Sequence, residues 1–160
     1  MLSTPPRIED VPAVTPRTGS DSTHLSRLLT RDFTADREAP GRARLALRAV
    51  RGYLDHEISD DVRLLVSELV TNSLRHTGTS GIRLEVWGSD EVVRVEVVDD
   101  GVGFDLPGTP QPGQVSGWGL FMVDRITDRW GVDTAGETRV WFEFDRPGAG
   151  GRERREFFQA

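Results

Sequence analysis

The hydrophobic period of the chain changes at Gly78, and that change limits the fold more than any other feature. Before it, apolar residues recur three or four apart: Ala43, Ala46, Leu47, Val50 and Leu54, then Val62, Leu65, Val66, Leu69 and Val70. After it they alternate, with Ile82, Leu84 and Val86 set against Arg83, Glu85 and Trp87, and Val93, Val95 and Val97 against Arg94 and Glu96. The first spacing gives an α-helix one buried face; the second does the same for a strand. The pattern predicts a helix from Gly41 to about Tyr53, its Arg44, Arg48 and Arg51 forming a solvated face. A second helix is N-capped by Ser59, with Asp60 and Asp61 at the positive end of its dipole, and runs about five turns to Gly78. Gly88 to Asp90 closes a hairpin. A Gly/Pro-rich loop from Gly101 to Ser116 leads into a third helix over about Trp118 to Arg129, and two strands follow near Val132 to Ala135 and Thr138 to Phe144. Strands with one apolar face need helices to cover it. The expected class is therefore α+β, a two-layer α/β sandwich whose mixed, mostly antiparallel sheet has about three helices packed on one face.

Composition narrows the chemistry. The 160 residues suffice for one domain with a packed core. Pro5, Pro6, Pro12 and Pro16 punctuate an N-terminal stretch too polar to offset its ordering entropy. Residues 1–27 are accordingly expected to be a flexible arm, 28–145 the folded domain, and 146–160, opening on a Pro-Gly break, a flexible tail. Residues 36–145 hold 20 acidic and 12 basic side chains, a net charge of −8 within the domain. The whole chain is at −6, which argues against direct nucleic-acid or anionic-membrane binding. No apolar run approaches the roughly 20 residues of a membrane span, and none has signal-peptide form. The expectation is a soluble, cytoplasmic protein. With no Cys, thiol catalysis and thiolate metal sites are excluded; with no Lys, so is a Walker-A phosphate loop.

Three short strings carry residues suited to chemistry. Glu68 and Asn72, the only Asn in the chain, lie four apart and project from one helix face. A carboxylate and an amide oxygen so placed suit a divalent cation that bridges to phosphates, with the carboxylate free to act as a base. The same spacing also describes a solvated Glu beside a helix-end Asn. Asp99 ends the strand of Val93, Val95 and Val97, and parity turns its carboxylate toward the helix-covered layer. Gly101 and Gly103 follow, in a turn open enough for a flat ligand to approach the backbone, though Asp- and Gly-rich turns also simply end strands. Thr138 shares a face with Val140, Phe142 and Phe144, and its hydroxyl lies near Asp99 if the two strands pair. Finally, Gly117-Trp118-Gly119-Leu120 stands at a helix start, where free amides and the dipole favour an anion; as a plain cap it reads equally well.

Taken in order, SELVTNSLRH, VVDDGVGF and GWGLFMVDRITDRWG resemble the ATP-binding domain shared by gyrase B, Hsp90, histidine kinases and MutL, the GHKL or Bergerat fold. They are most similar to the stand-alone anti-sigma factor serine kinases of the RsbW and SpoIIAB type, over about residues 28 to 145. The resemblance implies ATP and Mg2+ as cofactors, with Glu68 as general base, Asn72 as Mg2+ ligand and Asp99 as acceptor from the adenine amino group. It assigns Gly101 and Gly103 to the turn under adenine, Gly117, Trp118, Gly119 and Leu120 to the phosphate-binding box, and Thr138 to the position beside the adenine Asp. The residues between Gly103 and Gly117 would form the ATP lid.

Among functions of this superfamily, histidine kinases require a phosphoacceptor His on an upstream dimerisation helix, which does not fit before residue 38, and the gyrase, MutL and chaperone types require further domains. The resemblance therefore implies a serine/threonine protein kinase that holds a sigma factor, phosphorylates a STAS-domain anti-anti-sigma protein, and forms a homodimer. One departure points to an alternative. From Val95 through Asp124 there is no basic residue, so the lid offers no cation to the transferring phosphoryl group. A protein-binding module of the same fold, governed by nucleotide but slow or inactive in phosphotransfer, is the alternative.

Overall fold

Residues 25–76, 78–101 and 118–146 are described by the computed structural model. Gly103, Gly117, the lid between them, and nearly all of the two terminal segments lie outside the described residues. The elements run β1 (Ser26–Thr34), α1 (Ala39–Ala46) continuing as a 3-10 turn (Leu47–Val50), α2 (His56–His76), β2 (Gly81–Gly88), β3 (Val92–Asp99), α3 (Trp118–Ile126), β4 (Arg129–Asp133) and β5 (Thr138–Asp145). The strands form one sheet in the order β1-β2-β3-β5-β4. All four pairings are antiparallel, so the sheet is simpler than the mixed one expected.

Period two decides which side of the sheet is covered. Leu84, Val86, Val93, Val95, Phe142 and Phe144 are buried and pack with Val62, Leu65, Val66, Leu69 and Val70 of α2 and with Leu120 and Val123 of α3. Phe142 and Phe144 meet edge to face at 5.9 Å. This is the α+β two-layer sandwich that the hydrophobic pattern requires, with its helices on one face.

Several boundaries differ from the sequence reading. Strand β1 is not signalled by alternation, and it takes in Ser26 and Arg27, which that reading assigned to the arm. It is an edge strand, and a register irregularity between Arg27 and Leu29 breaks the period. Helix α1 starts at Ala39, ahead of Gly41, because Pro40 suits the first turn. After Ala46 it tightens into the 3-10 turn and does not continue as one α-helix to Tyr53. Ser59 lies inside α2 and is not its cap: its amide donates to the Asp55 carbonyl at 3.1 Å, and the helix has 21 residues. Helix α3 stops at Ile126, where the Thr127 hydroxyl and amide both donate to the Val123 carbonyl. Strand β4 consequently begins at Arg129, which lets Trp130 enter the core with its indole N–H on Asp124 at 2.9 Å.

Candidate functional site

Strands β3 and β5 pair with Asp99 opposite Thr138, and β2 sets Ile82 beside Asp99 on the other side. Asp99 is 4% exposed and Thr138 3%, so a carboxylate and a hydroxyl face each other at the end of an otherwise apolar layer. One oxygen of Asp99 accepts the Gly101 amide at 3.0 Å. Its other oxygen has no hydrogen-bond partner among the described residues. The Thr138 hydroxyl points toward the Gly101 carbonyl at 3.5 Å, a long contact, and not to Asp99 itself. Asp99, Gly101 and Thr138 thus form one group, with one carboxylate oxygen of Asp99 left over for a ligand N–H.

A second group forms where α3 crosses α2. A Cβ built on Gly119 would collide with the Asn72 amide nitrogen and come within 3.3 Å of Asn72 Cγ and 3.5 Å of Glu68 Cβ. The start of α3 thus sits against the Glu68 and Asn72 face of α2, and glycine at 119 leaves the Asn72 amide its present position there. Both of those side chains are half-buried. The other two residues of the box that are described point elsewhere. Leu120 is fully buried in the core, and Trp118 is 43% exposed, its ring edge-on to Phe121 at 5.6 Å. Their contribution to a ligand would come from the backbone at the helix start, where the amides of the first turn lack partners within the helix.

Two supports were not legible beforehand. Asp100, one residue past the buried carboxylate, is exposed and accepts from the Thr79 hydroxyl, the Ser80 hydroxyl at 2.7 Å and the Ser80 amide at 3.0 Å. The Thr79 and Ser80 hydroxyls and the Ser80 amide hold its carboxyl far below the usual carboxylate range. This clamp fixes the connection after α2 to the end of β3, and the doubled Asp99-Asp100 string was its only trace in the sequence. Arg44 donates to the Ser67 hydroxyl at 2.8 Å, tying α1 to α2 one residue before Glu68.

The donor set agrees with a nucleotide and a hard cation. The spare carboxylate oxygen of Asp99 suits an exocyclic amine, and one carboxylate plus one amide oxygen suit a Mg2+ that takes its remaining ligands from phosphate and water. None of the described helices is long and apolar enough to cross a membrane. Over residues 33–144 the sequence matches the histidine kinase-like ATPase domain family. It is similar to the serine-protein kinase RsbW of Listeria monocytogenes serotype 4a, with 29% identity over 55% of this chain and 66% of the relative. The serine-protein kinase RsbW of Listeria innocua matches at the same identity and coverage. The chain thus spans just under two thirds of the length of these curated relatives.

Proposed function

The chain belongs to the histidine kinase-like ATPase domain family, and from that membership we propose that it binds ATP with Mg2+ and acts as an anti-sigma factor with serine/threonine kinase activity. Its protein substrate would be a STAS-domain anti-anti-sigma protein, its target a sigma factor, and its working state a cytoplasmic homodimer. The observation that carries the reading is the contact of Gly119 with the Glu68 and Asn72 face of α2. A base and an amide one turn apart, closed over by a helix start without a side chain, suit phosphoryl transfer, which depends on positioning and charge stabilisation. Asp99 would accept the adenine amino group, with Thr138 and Gly101 beside it and Gly103 continuing the turn. Gly117 and Gly119 would lend backbone amides to the phosphates, and Asn72 would ligate Mg2+, which when bound offsets phosphate charge. Glu68 would take the proton of the acceptor hydroxyl as its oxygen bonds to the γ-phosphorus and the bond to the ADP oxygen breaks.

Thermal unfolding with ATP, with and without Mg2+, tests binding. Ligand at about 100 times its Kd adds roughly 2.7 kcal/mol, a rise of several degrees that Asp99→Asn should abolish. Transfer of labelled phosphate to STAS-domain candidates tests the chemistry: Glu68→Ala should bind ATP and transfer nothing. A second reading has its own observation, the lack of any basic residue from Val95 through Asp124. On that reading the nucleotide sets affinity for a partner without phosphotransfer, and Glu68→Ala leaves partner regulation intact. Loss of regulation in that variant rejects it.

A further inference from the structure

At the opposite end of α2 from Asn72, the 3-10 turn and the first turns of the helix enclose a cleft of about 480 Å³. Its walls carry Arg44, Arg48 and Arg51 on one side and Arg63 on the other, with Leu47 and Leu54 as a buried floor. Among the described residues of the lining Asp60 is the only carboxylate, so the four arginines exceed it by three charges in a domain whose net charge is −8. No carboxylate pairs with Arg44, Arg48, Arg51 or Arg63 among the described residues. Arg44 is held by a neutral hydroxyl, that of Ser67. Like charges gathered without counter-charges repel one another, and a partner of opposite sign relieves that repulsion.

We propose that this cleft is a docking site for an acidic segment of a partner protein, separate from the nucleotide site. The layout selects the occupant. Arg44, Arg48 and Arg51 are four and three residues apart along α1 and the 3-10 turn, a row spanning roughly 10–12 Å. A row of that length matches carboxylates spaced along a helix or strand, whereas one phosphate group would engage only a convergent pair. The negative charge of the rest of the domain opposes a nucleic acid, whose charge continues beyond the cleft. The proposal does not depend on the nucleotide reading: of the four arginines only Arg44, through Ser67, supports the Glu68 side of α2, and the test leaves it unchanged.

The test uses the full chain and a fluorescein-labelled helical peptide with Glu along one face. Beside it run the same peptide with Gln for Glu, inorganic tripolyphosphate, and a single-stranded oligonucleotide. The Glu peptide should bind with a Kd that rises with salt. Arg48→Glu with Arg51→Glu should weaken it at least about tenfold, Arg63→Glu should weaken it by itself, and Asp60→Asn should tighten it. Arg37→Glu, exposed and outside the cleft, should leave it unchanged. ATP-induced thermal stabilisation should be the same in every variant, so failure here is distinguishable from failure of the nucleotide site. Arg48→Gln with Arg51→Gln serves if the charge reversal disturbs folding. Equal binding of the Gln peptide, tighter binding of tripolyphosphate or oligonucleotide, or unchanged binding in the double variant would each overturn the proposal.

Discussion

The two faces of the sheet exclude water by different means. On the helix-covered face, Val86, Val95, Phe142 and Phe144 are buried against apolar helix surface. On the other face the same strands carry Glu85, Glu96 and Glu143, which are equally out of reach of solvent at 5–8% exposure, although none belongs to the hydrophobic core. Arginines cover them. Arg94 bonds Glu96 at 2.6 Å and Glu143 at 3.0 Å, Arg129 bonds Glu143 at 2.7 Å and also Asp145, and Arg139 reaches Glu96. Arg94 lies over the Trp141 ring at 4.0 Å, and a Cβ at Gly131 would lie 2.7 Å from that ring, so the glycine lets the indole lie flat on β4. The comparison teaches that a sheet with helices on one side can close its other side with long side chains laid along it, stems on rings and charges in alternation. Arginine suits this role because it stays charged and bonds two carboxylates at once. The attraction of Asp145 and Glu143 raises the Arg129 pKa further.

The largest expected effect lies on the apolar face. Phe142→Ala removes a fully buried ring at its centre and leaves a cavity, at a cost of about 3–5 kcal/mol. Urea unfolding should show a lower midpoint with the slope unchanged. A loss no larger than that of an exposed substitution would mean that the two faces are not divided as described. Glu143→Gln comes next. It keeps the size but removes the charge shared by Arg94 and Arg129, which retain Glu96 and Asp145, so the expected loss is about 1–3 kcal/mol. Reversing the ranking of these two variants would make the polar face the dominant source of stability.

The division between the faces also separates what the sequence revealed from what it did not. Hydrophobic spacing is a local signal, so the apolar face, the hairpin, α2 and the opposition of Asp99 and Thr138 could be read from it. The polar face could not, because Arg94, Glu96 and Glu143 alternate as solvent-exposed residues do, and their burial arises only when β3, β4 and β5 come into register. Strand β1 was missed for a related reason: an edge strand buries little, and its irregularity between Arg27 and Leu29 erases what period remains. The cleft of arginines follows the same rule. Arg44, Arg48 and Arg51 read as a solvated helix face until the fold sets Arg63 opposite them. Asp55 starts α2 where Ser59 was expected because a helix end is decided by which carbonyl accepts first, and both residues are good N-caps.

Asp99 is the exception on its face, the one carboxylate on the strand positions that face the helices, and Asp99→Asn sharpens the comparison. If that acid serves a ligand and not the fold, stability without ligand should change by less than about 1 kcal/mol, since the amide oxygen still accepts the Gly101 N–H. Nucleotide-induced stabilisation should nevertheless disappear. A large intrinsic loss would assign Asp99 to folding instead.

Asp100 brings the comparison down to neighbouring residues, because strand parity turns it away from the face that Asp99 occupies. Its carboxyl is held low by the hydroxyls of Thr79 and Ser80 and by the Ser80 amide, so its pKa in the folded protein lies below the unfolded value. The sign follows: its contribution is complete above about pH 4, where the unfolded carboxyl is also ionised, and is lost as pH falls through the folded value. Asp100→Asn should therefore melt a little below the wild type at pH 7, with the gap closing below pH 4. Full exposure and solvent screening make this the smallest of the effects. A gap that stays constant from pH 7 to pH 3 would show that the hydrogen bonds, and not the charge, hold the turn.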